Sequence, residues 1–323
     1  MDISLVIPVY NEAESLPALH TAIHEALKDL QKAWEIIFVD DGSTDTSLEV
    51  LKALAKRDPA HVRVVVLRRN FGQTAAIAAG IDNCTGEIIV LLDADLQNDP
   101  ADIPMMLKKL DEGYDVVSGW RFNRQDTFIT RTLPSRLANG LISWVTGVHL
   151  HDYGCTLKVY RREVLTGFRL YGEMHRFIPV YAHSVGAKIL EVKVHHHPRK
   201  YGHTKYGLER TIKVLLDLFT VKFLVTYAKK PIYLFGGTGM LLILSSGTLM
   251  LYLFIRRALE HISVLGSPLF QLAVMFTILG FQSILMGFIA ELLVRTYHEA
   301  QGKPTYTVRH FINLQPPSSS RNA

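Results

Sequence analysis

Two runs without a charged side chain constrain this chain more than any other feature: Ile232 to Ile255, 24 positions, and Leu269 to Ala290, 22 positions. Each exceeds the ~20 apolar residues that an α-helix needs to cross the hydrocarbon of a bilayer. A buried pair of helices in a soluble core rarely needs so many uncharged residues in succession, so the runs are read as transmembrane helices. Gly236, Gly237, Gly239 and Gly247 suit close helix packing, and packing through such spans would also allow a homo-oligomer. Lys222, Lys229 and Lys230 precede the first span, Arg256 and Arg257 lie between the two, and Arg295, Lys303 and Arg309 follow. That distribution favours both termini on the cytosolic side. The opening Met1-Asp2-Ile3-Ser4 has no basic n-region, and Pro8 and Asn11 interrupt its apolar run, so no secretory signal is expected.

The net charge of +5 is concentrated just before the first span. Between His196 and Lys230, eight basic residues (Arg199, Lys200, Lys205, Arg210, Lys213, Lys222, Lys229, Lys230) face two acidic ones (Glu209, Asp217). Within this stretch, Leu208 to Tyr227 sets Ile212, Leu215, Leu216, Phe219 and Phe223 at helical spacing among lysines, the pattern of an interfacial amphipathic helix. Anionic membrane lipids are the expected partners, and no nucleic-acid motif is present. Cys84 and Cys155 form neither a CxxC pair nor a metal-ligand spacing, which fits a reducing compartment without disulfides.

Residues 1 to about 120 alternate short apolar runs with helix-like stretches, as successive βαβ units do. Strands are expected at Ile3 to Val9, Glu35 to Val39, Val62 to Leu67, Glu87 to Leu92 and Asp115 to Ser118, with one more at Lys188 to His195. Ligands of such parallel sheets bind beyond the strand C-terminal ends. The polar clusters fall there: Asn11-Glu12, Asp40-Asp41-Gly42-Ser43, Asn70-Phe71-Gly72 and Asp93 to Gln97. In Asp93-Ala94-Asp95 the period of two predicts both carboxylates on one side of a strand end. Mg²⁺ or Mn²⁺ is typically held by one or two carboxylates together with substrate phosphate oxygens, so the pair suits a nucleoside-diphosphate ligand.

Val6-Ile7-Pro8-Val9-Tyr10-Asn11-Glu12, Phe38-Val39-Asp40-Asp41-Gly42-Ser43 and Asp93-Ala94-Asp95, in that order, resemble the nucleotide-sugar-binding elements of family-two inverting glycosyltransferases. The fold implied is α/β, a GT-A (Rossmann-like) nucleotide-sugar-binding domain followed by two transmembrane helices. Asp93 to Pro100, Arg121 to Arg136, His151 to Cys155 and His197 to Tyr206 further resemble the polyprenyl-phosphate branch, which includes dolichyl-phosphate mannose synthase and bacterial undecaprenyl-phosphate sugar transferases. The boundaries expected are 1–207 for a cytosolic catalytic domain, 208–230 for the juxtamembrane helix, 231–295 for two spans and 296–323 for a cytosolic tail, disordered at Pro316 to Ser320.

The resemblance implies Asp93, Asp95 and Gln97 around a divalent metal, and Pro8, Tyr10, Glu12, Asp40 and Asp93 around the nucleotide. It places Arg199 and Lys205 on the diphosphate, and Arg121, Arg131 and Ser135 on the acceptor phosphate, with Asp152 as the catalytic aspartate. Two chemical points refine these roles. Asp40 can accept a hydrogen bond from the imide N–H of uracil. A phosphate monoester, with its second pKa near ~6, is already largely ionised at neutral pH, so Asp152 is expected to orient the acceptor and balance arginine charge more than to remove a proton.

The activity implied is transfer of one hexose, with glucose placed first, from a UDP-sugar to undecaprenyl or another polyprenyl phosphate at the bacterial plasma membrane. GDP-mannose, UDP-galactose, UDP-N-acetylhexosamine and UDP-modified arabinose remain alternative donors. A non-catalytic nucleotide-sugar-binding scaffold is the rival from another class. Processive synthases fit less well, because no Gln-x-x-Arg-Trp segment occurs. His195-His196-His197 reads as a strand end and not as a zinc site, since no ligand spacing follows it. Gly237-Thr238-Gly239 lacks the third glycine of a dinucleotide fingerprint.

Overall fold

Unbroken apolar strands need cover on both faces, and the sheet provides it. The computed structural model describes residues 1–122, 139–140, 142–144, 146–165, 170, 174–198, 232–260, 263–300 and 305–314. It divides into two compact units, Met1–Val221 with Pro304–Ala323, and Lys222–Lys303.

In the first unit, β1 (Ile3–Val9) and β2 (Trp34–Asp40) are buried along almost their whole length. They pair in parallel with each other, and with β4 (Ile88–Leu91) and β3 (Val62–Leu67) respectively. Between them run α1 (Leu16–Leu27), α2 (Ser47–Arg57) and α3 (Gln73–Asn83), then α4 (Ile103–Asp111) beyond β4. On α1, Leu16, Leu19, Ile23 and Leu27 recur at three- and four-residue intervals and are buried, so one helix face meets the core. Farther along come β5 (Val116–Arg121), β6 (Lys158–Arg161), α5 (Ile178–Ser184) and β7 (Ile189–Val194).

The eight-stranded sheet has the order β7-β5-β6-β4-β1-β2-β3-β8, its last member being Val308–Ile312. Two strands lie outside the sequence expectation, and both are antiparallel: β6 between β4 and β5, and β8 against β3. Beneath the strands the buried Glu35 carboxylate accepts from Ser4 Oγ (2.7 Å), Thr85 Oγ1 (2.7 Å) and Arg63 Nε (2.7 Å). Burial would raise the pKa of Glu35, but these donors overcome it and hold the pKa below the usual value.

Strand β8 corrects the reading of 296–323 as a simple tail. Tyr306 donates its hydroxyl to Asp82 Oδ2 (2.9 Å), and the side-chain amide of Asn313 donates to the carbonyls of Ala55 (2.8 Å) and Val62 (3.1 Å). Five residues of Val-Arg-His-Phe-Ile carry too weak an alternation to announce an edge strand locally; the pairing is a tertiary event. Pro316 to Ser320 lie outside the described residues.

The second unit holds α6 (Ile232–Glu260) and α7 (Pro268–Ala300). Both contain a segment long and apolar enough to cross a bilayer, and only 17% of each such window is buried within the structure, where a soluble core helix would be mostly buried. Met240, Leu241, Leu244, Phe281 and Phe288 point outward instead. The helices touch where side chains are smallest: a Cβ on Gly239 would lie 2.6 Å from the Gly280 carbonyl oxygen, and one on Gly280 2.8 Å from that of Gly239. Gly237 and Gly247, expected at the same contact, face open space. Ser246 Oγ bonds the Ala273 carbonyl (2.6 Å) and Thr277 Oγ1 (2.8 Å), and Thr238 Oγ1 meets Ser283 Oγ (3.0 Å). Such polar contacts between small-residue faces are how apolar helices associate where lipid removes the hydrophobic drive. The amphipathic segment 208–230 lies outside the described residues.

Candidate active site

Three loops at the C-terminal edge of the sheet are stitched together through side chains. Asn11, in the left-handed region at φ 55°, accepts at Oδ1 from the Thr44 backbone N–H (2.8 Å), while its own N–H donates to Ser43 Oγ (3.1 Å). The Glu12 N–H donates to Ser47 Oγ (2.9 Å). Asp41 then ties the second loop to the third, accepting from the N–H groups of Phe71 (2.7 Å) and Gly72 (2.9 Å). Burial pushes the Asp41 carboxyl up to about 6 in spite of those two donors. Gly42, at φ 67°, has no room for a side chain: a Cβ there would lie 2.5 Å from the backbone carbon of Arg69. Asp40 ends β2 almost fully buried, its pKa raised by desolvation, and its Oδ1 accepts from the Ser43 N–H (3.3 Å).

The acidic pair sits differently from the period-two expectation. Strand β4 stops at Leu91, so Asp93 and Asp95 stand on a turn, which Leu96 completes at φ 58°. Gln73 Nε2 donates to Asp93 Oδ1 (2.8 Å) and Thr156 Oγ1 to Asp93 Oδ2 (2.5 Å), fixing that carboxylate from two elements. Asp95 is buried, and its Oδ1 accepts from the Gln97 N–H (3.1 Å). Neighbouring histidines brace the turn from behind. His197 donates its N–H to the Gln97 carbonyl (2.8 Å) and pairs with Asp99 Oδ2 (2.9 Å), and His195 Nδ1 pairs with Asp102 Oδ1 (2.8 Å). The bland reading of that histidine run as a strand end holds for these two.

Arg121, the last residue of β5, meets Asp152 in a fork: Nε to Oδ2 at 2.7 Å and Nη2 to Oδ1 at 2.9 Å. Burial would lower the Arg121 pKa, but the charge and hydrogen bonds of Asp152 win and hold it above its ordinary value. Asp152 Oδ1 also accepts from the Gly154 N–H (3.1 Å), and its own N–H donates to Glu191 Oε1 (3.0 Å). The segment 152–156 thus joins the ion pair to Asp93 through Thr156. Lys158 supports this segment from below, donating from a buried ammonium to the carbonyls of Tyr153 (3.2 Å) and Cys155; burial draws its pKa down.

Pro8 lies in β1 opposite Val39, and Tyr10 and Glu12 follow in the first loop, just past the pairing of Val9 with Asp40. Arg131, Ser135, Arg199 and Lys205 lie outside the described residues. Gln73, Thr156, Lys158 and Asp41 carry site geometry that the sequence reading did not assign. Asp41 stood inside the Asp40-Asp41-Gly42-Ser43 cluster without a role of its own, Gln73 one residue beyond Asn70-Phe71-Gly72, and Thr156 one residue beyond the His151 to Cys155 segment.

The match to the family description "Glycosyl transferase family 2" runs over residues 4–168, from β1 through the Asp152–Lys158 segment. This chain belongs to that family. Similarity to individual members extends through the two apolar helices. The chain is 41% identical over 318 residues to dodecaprenyl-phosphate galacturonate synthase of Rhizobium johnstonii, covering 98% of this chain and 94% of that one. It is 39% identical over 321 residues to undecaprenyl-phosphate 4-deoxy-4-formamido-L-arabinose transferase of Yersinia pestis, covering 99% and 96%. Among solved structures, glucosyl-3-phosphoglycerate synthase of Mycobacterium tuberculosis with UDP shares the fold at a TM-score of 0.53 and 21% identity, over 68% of this chain and 80% of that one. The same enzyme with Mn²⁺ and UDP-glucose superposes at 0.51, with 20% identity over 69% and 78%. The GT-A type of α/β domain read from the sequence is therefore the fold of this glycosyltransferase.

Proposed function

We propose that this glycosyltransferase moves one sugar from a UDP-linked donor to the phosphate of a polyprenyl phosphate, forming a lipid-monophosphate sugar at the cytosolic face of a bacterial membrane. The observation that carries this reading is the near-full-length similarity, membrane helices included, to two proteins named for polyprenyl-phosphate sugar chemistry. Those names widen the sugar from the hexose first expected to a uronic acid and a modified pentose. We keep a UDP-sugar as the donor class, with hexose, uronic acid and modified pentose donors as its members.

The donor set fits a hard divalent cation, since Asp93 and Asp95 offer carboxylate oxygens while burial pushes the neighbouring Cys155 thiol up to about 11 and keeps it protonated. Mg²⁺ or Mn²⁺ bound by Asp93, Asp95 and Gln97 would neutralise charge developing on the departing diphosphate. Gln73 and Thr156 hold Asp93 so that its carboxylate need not reorganise during reaction. Asp40 receives the uracil imide, with Pro8, Tyr10 and Glu12 lining the nucleotide. Arg121, with Arg131 and Ser135, takes the acceptor phosphate, while Arg199 and Lys205 close on the diphosphate. Asp152 occupies the Nε–Nη2 fork of Arg121 and fixes the guanidinium plane, so a phosphate would meet it through Nη1, and the acceptor oxygen attacks C1 in line with inversion.

Strand β8 supports placement of both ends on one side of the membrane, which we take as the cytosolic side. A chain that leaves the catalytic sheet, makes two spans and pairs again with β3 must cross an even number of times. Incubation with a panel of radiolabelled UDP- and GDP-sugars and undecaprenyl phosphate in detergent tests the proposal. Label should enter the lipid phase from one UDP-sugar and vanish with EDTA or Asp95→Ala. A folded protein that labels no lipid with any donor would favour the scaffold reading.

A further inference from the structure

At the opposite edge of the sheet, where the strands begin, three histidines surround one carboxylate. His20 and His24 are four residues apart on α1 and so share a helix face. Their Nε2 atoms lie 3.1 and 2.7 Å from the same oxygen, Oδ2 of Asp58, the residue that ends α2. The other oxygen is held separately: His61, just before β3, reaches Asp58 Oδ1 with its Nδ1 (2.9 Å) and donates its backbone N–H there (3.2 Å). Trp34 stacks on the His61 ring at 4.0 Å and meets His24 edge-on at 4.9 Å, walling the cluster.

Three imidazoles converge on this one carboxylate, two of them on the same oxygen. The division of labour matches a metal centre: two nitrogens and one oxygen converge, and a further group orients the carboxylate. Zinc bonds of about 2.0–2.1 Å in a tetrahedron set ligand atoms roughly 3.3 Å apart. Two of the present separations, 3.1 and 2.7 Å, lie close to that value, and all three ligand atoms fall within 4.8 Å of one another. The His20 and Asp58 side chains are 10% and 13% exposed, whereas His24 is 36% exposed, so the cluster opens to solvent on the His24 side, from which a water would complete the shell. Two imidazoles with one carboxylate suit Zn²⁺ or Co²⁺ over Mg²⁺ or Ca²⁺, which prefer oxygen throughout.

We propose that His20, His24 and Asp58 bind one Zn²⁺, with His61 positioning Asp58, so that the metal joins α1 to the α2–β3 turn. The site is separate from the donor metal at Asp93 and Asp95, at the other end of the strands.

The test is calorimetric titration of Zn²⁺ into the full-length protein, purified without a polyhistidine tag, stripped with chelator and held in excess Mg²⁺. One saturable Zn²⁺ per chain is expected, lost in His24→Gln and in Asp58→Asn and kept in Asp95→Ala. His61→Ala should weaken it about 10–100-fold, the range typical of outer-shell partners. Co²⁺ loaded into the unaltered protein should give the intense visible absorption of a tetrahedral site and lose it on adding Zn²⁺, a readout independent of whether any variant folds. Absence of saturable binding, a purely octahedral Co²⁺ spectrum, or undiminished binding in both His24→Gln and Asp58→Asn would overturn the proposal and leave a hydrogen-bonded cluster only.

Discussion

Replacing Arg121 by methionine keeps most of the side-chain volume and removes the charge that faces Asp152. The pair is bidentate at 2.7 and 2.9 Å, with side chains 15% and 4% exposed, so little water is at hand to replace the lost partner. At an effective dielectric of about 20 and about 4 Å between charges, the attraction is about 4 kcal/mol, much of it offset by desolvation in the intact pair. Removing one partner leaves that desolvation uncompensated and typically costs about 3–5 kcal/mol. For a domain of this size 1 kcal/mol corresponds to roughly 2–4 °C in Tm, so Arg121→Met should lower the transition by about 6–20 °C. Asp152→Asn in the Arg121→Met background should restore part of that loss, because the buried charge is then gone as well. The assay is thermal unfolding of the full-length protein in detergent for both single variants and the double variant. A fall of less than about 2 °C for Arg121→Met, or strictly additive single effects, would refute the coupling on which the acceptor-site reading depends.

Other outcomes follow from the same geometry. Asp152→Asn should cut transfer severely while leaving a pH profile set by the lipid phosphate; loss of a distinct acidic limb in the variant would make Asp152 a proton acceptor after all. Because Asp41 is lifted from 3.8 to about 6 in the folded chain, the fold binds the extra proton between those values, and stability should fall as pH rises through them. Asp41→Asn should flatten that slope in pH-dependent unfolding curves. Gly42→Ala must force a Cβ against the Arg69 backbone at positive φ, so nucleotide affinity and stability should both drop, measured by UDP titration and melting. Gly280→Leu should separate α6 from α7 and lower the detergent stability of the membrane unit without changing UDP binding.

The parallel half of the sheet was legible because its strands are continuous apolar runs and its loops concentrate Asp, Asn and Gly at their C-terminal ends. What stayed hidden was whatever depends on distant pairing. Strand β6 lies among Lys158, Tyr160 and Arg161, whose polarity masks a central strand until Lys158 is seen bonding carbonyls beneath the site. Strand β8 is far along the chain from its partner β3. Asp93 and Asp95 were found by motif; strand β4 ends one residue before the expected Leu92, so a turn and not the alternation of the strand carries them. Gln73 and Thr156 stood beside quoted motifs, but nothing local showed their roles, because each matters only through a carboxylate 20 and 63 residues away. The His20, His24, Asp58 and His61 cluster escaped for the same reason, being two helix-spaced residues and a turn that only the fold unites.

Identifying the nucleotide product tests the central claim most directly. Transfer of a sugar alone to a lipid phosphate releases UDP and leaves one phosphorus between lipid and sugar. The measurement is chromatography of the nucleotide, with mass spectrometry of the lipid, after turnover with undecaprenyl phosphate. The account requires equal amounts of UDP and lipid-monophosphate sugar, both lost in Asp95→Ala. Release of UMP with a lipid pyrophosphate-linked sugar, or UDP formed with no sugar on the lipid, would contradict it.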